Sequence, residues 1–158
     1  MAQKLSKKSK IAIKPVKTVP VKKGVLAMPK DFFSAVGRRK TAVARVRIWA
    51  GKQELVVNGK PISEYFKGVT MKQIYQSPFV ATETLGQFSG SIKVLGGGLV
   101  AQANALVHGI ARALVKVDEV HKLPLRAKGL ITRDPRMKET RKAGQGGRAR
   151  AKKQSPKR

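Results

Sequence analysis

The chain contains no cysteine, one tryptophan and two histidines among its 158 residues. Without cysteine it cannot form disulfides, thiolate nucleophiles or most zinc sites, and it fits a reducing compartment. Its eight carboxylates are dispersed, so no pair is placed for general acid and base chemistry. None stands at metal-ligand spacing beside His108 or His121. The sequence therefore predicts a protein that is not an enzyme and that uses no cofactor and no metal.

Long apolar runs are also missing. No run approaches the roughly eighteen residues of a membrane-spanning helix, and lysines interrupt every apolar stretch near the N-terminus, which argues against a secretory signal. The basic C-terminal part has no stripe of Trp, Phe or Leu that a lipid headgroup layer would bury. These features argue against a membrane partner.

Positive charge is what the chain has in excess, with 35 Lys and Arg against eight Asp and Glu. Residues 1–30, 31–121 and 122–158 carry excesses of nine, six and twelve positive charges, which make up the net charge of +27. The middle value is ordinary for a compact domain, whereas flanks that repel themselves so strongly do not form a core. Phosphate contacts release counterions and add affinity, so the charge predicts a nucleic-acid partner.

This charge distribution predicts three parts. Residues 1–31 are expected to be a basic, flexible N-terminal extension, residues 32–121 a globular domain, and residues 122–158 an extended basic tail that binds RNA. An organellar transit peptide is the alternative for the first part, although that part contains no arginine and several prolines, which is not typical of one.

Hydrophobic patterns predict the elements of the domain. Apolar and polar residues alternate in the second half of residues 37–51, as in a strand. Further expected elements are a strand over 54–57, a short helix over 61–67, a helical segment over 70–76 that stops before Pro78, a strand over 87–95, a helix over 100–117 and a helical turn over 123–128. This order is typical of an α+β domain with helices packed on a small sheet.

The first of these strands has one cationic face. Arg45 and Arg47 project from it together with Trp49, for which packing on the sheet is preferred to stacking on a base. Guanidinium groups suit bidentate phosphate contacts, so the sequence favours an RNA-binding face. In the long helix, His108 lies one turn before Arg112 and away from the apolar stripe, which predicts a surface or RNA-facing position.

Gly96, Gly97 and Gly98 stand between the last strand and the long helix. Glycines allow a phosphate to approach the backbone, and a helix N-terminus offers free N–H donors. The segment lacks the Lys-Ser/Thr of a nucleotide P-loop and the spacing of a dinucleotide fingerprint. A tight turn that touches an RNA phosphate is therefore favoured over a nucleotide site.

Five segments match one known family in order. They are Gly37-Arg38-Arg39-Lys40-Thr41 with VARV; VNG followed by EYF; VLGGGLVAQANALVHGIARAL; LRAKGLITRDPR; and a C-terminus that ends in Lys-Arg. Over residues 37–158 the chain thus resembles the universal family of small-subunit ribosomal protein nine, in its bacterial or organellar form.

The resemblance implies a fold like the second domain of ribosomal protein S-five, with a small mixed β-sheet, helices on one side and a left-handed crossover. It implies a structural role in the head of the small ribosomal subunit in the cytoplasm, or on an organellar ribosome as the alternative. The implied partners are small-subunit ribosomal RNA, neighbouring ribosomal proteins of the head and peptidyl-site tRNA.

Charge and resemblance together give the candidate binding residues. Those expected to contact ribosomal RNA are Arg38, Arg39, Lys40, Arg45, Arg47, Gly96, Gly97, Gly98, Arg112, Arg126, Lys128, Arg133, Arg136, Arg141, Lys142, Arg148 and Arg150. In the family the last Lys and Arg contact the anticodon stem-loop of peptidyl-site tRNA, and the resemblance implies that Lys157 and Arg158 make this contact here. The aromatic-Ser pair of the family is replaced here by Ser155-Pro156, so a different final bend is expected.

Two other functions compete with this interpretation. A free nucleic-acid-binding protein would show the same charge. An RNA-processing enzyme is the other alternative, because the protein subunit of ribonuclease P shares this kind of fold, and fold alone does not settle function. The chain lacks the Arg-Asn-Arg helix motif of that subunit and any cluster of metal-binding carboxylates.

Overall fold

The chain folds around a five-stranded sheet in the computed structural model, which describes residues 31–143. The elements in chain order are β1 Phe33–Arg39, β2 Ala42–Ala50, β3 Val56–Val57, β4 Lys60–Pro61, α1 Ile62–Tyr65, α2 Val69–Ala81, β5 Phe88–Leu95, α3 Leu99–Val117 and α4 Lys122–Ala127. A 3₁₀ turn over Glu119–His121 joins α3 to α4.

The strand order across the sheet is β1-β2-β5-β3-β4. Neighbouring strands are antiparallel except β3 and β5, which run parallel. A parallel pair needs a crossover connection, and here α1 and α2 lie in the chain between the two strands. The α+β class and the mixed sheet are therefore confirmed, and the left-handed sense of the crossover stays a prediction.

One face of the sheet forms the core. Ala44, Val46 and Ile48 of β2 are buried there beside Ile92 and Val94 of β5. The long helix α3 packs across β1 and β2 on this face and against α2. The core continues beyond α3, because Leu125 of α4 is buried in it. After α4, Leu130 and Ile131 are partly buried and pack against it.

The contact between β1 and α3 depends on two glycines. A Cβ at Gly37 would overlap the carbonyl oxygen of Ala105 and the backbone nitrogen of Gly109. A Cβ at Gly109 would lie 2.6 Å from Cγ2 of Val46 and 3.2 Å from the nitrogen of Gly37. Strand and helix thus meet backbone to backbone, which confirms the tight packing that Gly109 in an otherwise apolar helix indicated.

The helical segment that was expected to stop before Pro78 continues through it, so that prediction is wrong. A proline inside a helix leaves the carbonyl four residues earlier without its backbone donor. Here that carbonyl belongs to Ile74, and the Ser77 hydroxyl donates to it at 2.7 Å. Because Pro78 is also fully buried, side-chain bonding and burial outweigh the proline penalty.

Two strand boundaries also differ from expectation. The strand over 54–57 is reduced to Val56–Val57 at its N-terminal end, where the Leu55 carbonyl accepts from the Ile62 N–H and the Glu54 carboxylate accepts from the Ser63 N–H. At the other end Asn58, with a φ of 50°, turns the chain into β4. Pairing with β5 nevertheless continues beyond β3, since the Asn58 side chain exchanges two hydrogen bonds with the backbone of Val94, at 2.9 and 3.0 Å. The sequence analysis missed β1, because a glycine, Gly37, fills one of its buried positions and an apolar residue, Val36, fills an exposed one, so that its residue types do not alternate as its burial does.

Replacing Gly37 by Ala should destabilise the protein by about 3 kcal/mol or more, because the new methyl group must displace backbone rather than a flexible side chain. Gly98→Ala is the matched control, since no atom lies within 4 Å of the position that its methyl group would take and its φ of −92° suits any residue. Urea unfolding of both variants measures the difference. Equal free energies of unfolding would contradict the backbone contact.

Candidate nucleic-acid interface

The face of the sheet that points away from the helices carries a row of cations. Arg45 of β2 lies directly opposite Lys93 of β5, and Arg47 lies opposite Ser91. On the other side Arg45 pairs with Val36 of β1. We call this surface the open face and define it by five exposed residues on β1, β2 and β5: Val36, Arg38, Arg45, Arg47 and Lys93.

Arg45 and Lys93 form an unfavourable pair. Directly opposed residues on antiparallel strands have Cβ atoms about 5 Å apart, and like charges at this distance are destabilising. Within residues 31–143, no carboxylate lies at salt-bridge distance from either side chain. Sequence analysis missed Lys93, although it alternates with the buried Ile92 and Val94 in the way that Arg45 and Arg47 alternate with their apolar neighbours.

At one end the open face is closed by packing. Trp49 is only 9% exposed, and the opposite residue, Ser89, is fully buried. The Ser89 hydroxyl accepts from the Gln53 N–H at 2.8 Å and donates to the Gln53 carbonyl at 3.1 Å, which holds the loop after β2 against it. The preference for packing over base stacking at Trp49 is confirmed. Next to it, the Arg47 guanidinium lies 5.3 Å from the centre of the Phe32 ring.

Three polar side chains at four-residue spacing on α3 bond to the outer backbone of β1. Nδ1 of His108 accepts from the Arg38 N–H at 3.2 Å, Nη1 of Arg112 donates to the Val36 carbonyl at 2.6 Å, and Nζ of Lys116 donates to the Ser34 carbonyl at 2.8 Å. The spacing puts them on one helix face. Arg112 thus has a structural bond besides its predicted role with RNA, and the sequence did not single out Lys116.

His108 is half-buried and is held from both sides. While Nδ1 accepts from Arg38, Nε2 lies 3.0 Å from the Ile131 carbonyl, so the neutral ring with its proton on Nε2 satisfies both contacts. Burial lowers the pKa of His108 below its ordinary value, and the charge of Arg112 lowers it further. His108 therefore joins β1, α3 and the chain after α4 as a neutral side chain at pH 7.

Arg39 contacts the part of the basic tail that follows α4. Its Nη2 lies 3.0 Å from Oδ2 of Asp134, and its Nη1 donates to the Arg136 carbonyl at 3.0 Å. Asp134 also accepts from the Arg136 guanidinium at 2.6 Å and from the Arg136 N–H at 2.9 Å. The hydrogen bonds from Arg136 hold the pKa of the Asp134 carboxyl well below its usual range, so this carboxylate stays charged in mildly acidic solution.

The three glycines form an exposed turn beside the hairpin turn of β1 and β2. Gly96 and Gly97 have φ values of 73° and 65°, and a Cβ at Gly96 would lie 2.6 Å from the Thr41 carbonyl oxygen. The Gln102 side chain donates to the Gly96 carbonyl at 3.1 Å and accepts from the Tyr65 hydroxyl at 3.0 Å. The turn is thus positioned by its neighbours, and it lies against Thr41, the residue that follows Lys40.

The other predicted residues are spread along the described part of the tail. All of them are exposed, and only Lys142 contacts an acid outside the Asp134 group, namely Glu139 at 3.9 Å. They are Arg126, Lys128, Arg133, Arg136, Arg141 and Lys142. The arginines predicted at 148 and 150, like Lys157 and Arg158, lie outside the described residues.

Over residues 31–143, no group of three or more His, Asp or Glu side chains is placed to hold a metal ion. No helix in this range is both long enough and apolar enough to cross a membrane. A groove of about 420 Å³ beside α2 is lined by both polar and apolar side chains, among them Lys72, Tyr75 and Phe79, and none of the five residues of the open face lines it.

Protonation of His108 should weaken the fold, because the proton would occupy Nδ1 and remove the acceptor for the Arg38 N–H. A base whose pKa is lower in the folded state binds fewer protons there than when unfolded, so stability is full above the ordinary histidine pKa of about 6.5 and falls below it. Urea unfolding between pH 8 and 5 should show this loss. His108→Gln keeps a donor and an acceptor without titrating and should show a smaller loss; equal losses would contradict the assignment.

The chain is similar to known ribosomal proteins. The family described as "Ribosomal protein S9/S16" matches residues 37–158 of the chain. Small ribosomal subunit protein uS9 of Maridesulfovibrio salexigens is 49% identical over 131 residues, which cover 83% of this chain and all of the relative. The uS9 of Dehalococcoides mccartyi is 48% identical over 113 residues, covering 72% of this chain and 86% of the relative.

These matches span most of the chain: the family match begins within β1, at Gly37, and includes the open face except Val36, the glycine turn, α3 and the tail. They agree with the family that the sequence motifs indicated. The chain belongs to the ribosomal protein S9/S16 family.

Proposed function

We propose that this chain is a structural constituent of the head of the small ribosomal subunit, in the cytoplasm, where the open face and the basic tail bind small-subunit ribosomal RNA. Family membership supports the ribosomal role. The observation that carries the RNA contact is the opposed pair of Arg45 and Lys93 on the open face.

An RNA backbone would resolve the repulsion in this pair. A phosphate placed between two cations is attracted to both, and the counterions that it releases add to the affinity. Contacts of this kind fix the position of the RNA without reading its sequence. Arg38 lies on the same face, and Arg47 extends the row toward Phe32.

The hairpin and glycine turns would form a second contact. Lys40 has a φ of 52°, in the left-handed region where residues with a Cβ are uncommon. This conformation puts an exposed lysine at the tip of the hairpin, beside a turn where Gly96, Gly97 and Gly98 leave the backbone exposed. A phosphate at this position would meet the lysine and the first N–H groups of α3.

The basic tail would extend the contact away from the domain. Residues 140–158 would span about 60 Å if fully extended, which is far enough to reach a separate functional centre. Its arginines and lysines would thread between RNA segments, next to neighbouring proteins of the head. At its end Lys157 and Arg158 would contact the anticodon stem-loop of peptidyl-site tRNA, where charge without base discrimination suits a contact that every tRNA must make.

Lys93→Gln tests the open face because it changes binding and stability in opposite directions. Binding to small subunits that lack this protein should weaken, and its dependence on the logarithm of salt concentration should fall by about one unit. The free energy of unfolding should rise by about 0.2 to 1 kcal/mol, because Arg45 loses a like charge opposite it. Titration at several salt concentrations and urea unfolding measure the two effects.

Lys72→Gln is the matched control, since it removes one exposed lysine from α2 on the helical side of the sheet. It should leave more of the salt dependence intact and should not stabilise the fold.

Retention on subunits through a high-salt wash separates a ribosomal component from a loose nucleic-acid binder. If Lys93→Gln and Lys72→Gln weakened binding to the subunits equally, a specific role for the open face would be ruled out.

Deleting Lys157 and Arg158 should weaken the retention of peptidyl-site tRNA and the maintenance of reading frame, while subunit assembly stays nearly normal. The reason is that the two terminal charges contact tRNA in the proposal, and the rest of the tail contacts ribosomal RNA. Exchanging the two residues, so that charge is kept, is the control. Unchanged tRNA affinity in the deletion would reject this contact.

A further inference from the structure

The chain after α4 is attached to the domain at two separated points. At the first, Leu130 and Ile131 pack against the core and Ile131 accepts a hydrogen bond from Nε2 of His108. At the second, Arg39 bonds to both the Asp134 carboxylate and the Arg136 carbonyl. The second point lies three to five residues after Ile131, so the two points together define a direction as well as a position.

Asp134 is the acid at the second attachment point, where it bonds to the guanidinium groups of Arg39 and Arg136. The tail over 122–158 has fourteen basic residues and only two acids, so each acid reduces its attraction to RNA. The Asp134 side chain is 28% exposed and bonds to two guanidinium groups. Glu139, the other acid, is 83% exposed and contacts only Lys142 in the described range, at 3.9 Å.

We propose that Arg39 and Asp134 form a clasp that fixes the direction in which the basic tail leaves the domain, so that Asp134 is a positioning residue for RNA binding. The proposal rests on the proposed function insofar as the tail binds RNA. Its physical basis is preorganisation, because a segment that is already directed along its binding path loses less conformational freedom when it binds.

The two acids allow the clasp to be separated from simple charge. Replacing either by its amide raises the net charge by one, and electrostatics alone then predicts equal or tighter RNA binding for both variants. The clasp predicts opposite signs. Asp134→Asn should weaken specific binding because it frees the tail direction, and Glu139→Gln should not.

The absence of cysteine makes the clasp directly measurable in the free, full-length protein. Thr70 on α2 and Thr140 beyond the clasp are both exposed and uncharged, so cysteines at these positions accept spin labels without changing the charge. Pulsed electron paramagnetic resonance should give a narrow distance distribution for the otherwise unchanged protein and for Glu139→Gln. Asp134→Asn should give a broad one.

Arg39→Lys is a second variant that keeps the net charge. A single ammonium group lacks the two nitrogens with which Arg39 reaches Asp134 and the Arg136 carbonyl together. It should broaden the same distribution. Urea unfolding of each variant shows whether the domain itself stays folded.

Binding to small subunits that lack this protein gives the functional result. Asp134→Asn should bind about fivefold or more weakly, at the lower end of typical couplings between linked sites, and should bind an unrelated RNA duplex as tightly as before or more tightly. Glu139→Gln should bind both targets as tightly as before or more tightly.

Unchanged distances in Asp134→Asn would overturn the clasp whatever the binding data show. If Asp134→Asn broadened the distance distribution but bound the subunits as tightly as before, the clasp would stand and the positioning role of Asp134 in RNA binding would be overturned. If the original protein failed to bind the subunits, the proposed function would fall and the positioning role with it, and the distances would still report whether Arg39 and Asp134 hold the tail.

Discussion

The close approach of Gly37 to Gly109 is the constraint on which the rest of the interface depends. Because strand and helix meet without side chains between them, α3 lies near enough to β1 for His108, Arg112 and Lys116 to reach its outer backbone. The same proximity lets one histidine bond to β1 and to the chain after α4. A packing detail in the core thereby allows the side chains of α3 to bond to β1.

The cations of the domain serve two different purposes. Arg39, Arg112 and Lys116 donate hydrogen bonds to backbone carbonyls or to Asp134, and so they help to hold elements together. Arg45 and Lys93 instead face one another across the sheet at a cost in stability. In the proposed complex with RNA, the first group orders the surface and the second group supplies unneutralised charge.

Much of this arrangement could be predicted from the sequence. Periodicity gave β2, β5 and α3 nearly to the residue, because each has a clear apolar face. Continuation of α2 through Pro78 was missed, because it depends on the Ser77 hydroxyl and on tertiary burial, neither of which a local pattern contains. The clasp was missed for a similar reason: Arg39 and Asp134 are far apart in the chain, and only the fold brings them together.

The side chains of α3 that bond to β1 have a further consequence for the protein before assembly. An outer strand with open N–H and C=O groups is a template on which another chain can add as a strand, and natural sheets block this with charged side chains or by covering the strand. Here His108, Arg112 and Lys116 already occupy three of these backbone groups, and two of the three carry positive charge. These three side chains therefore hinder the addition of another chain along β1.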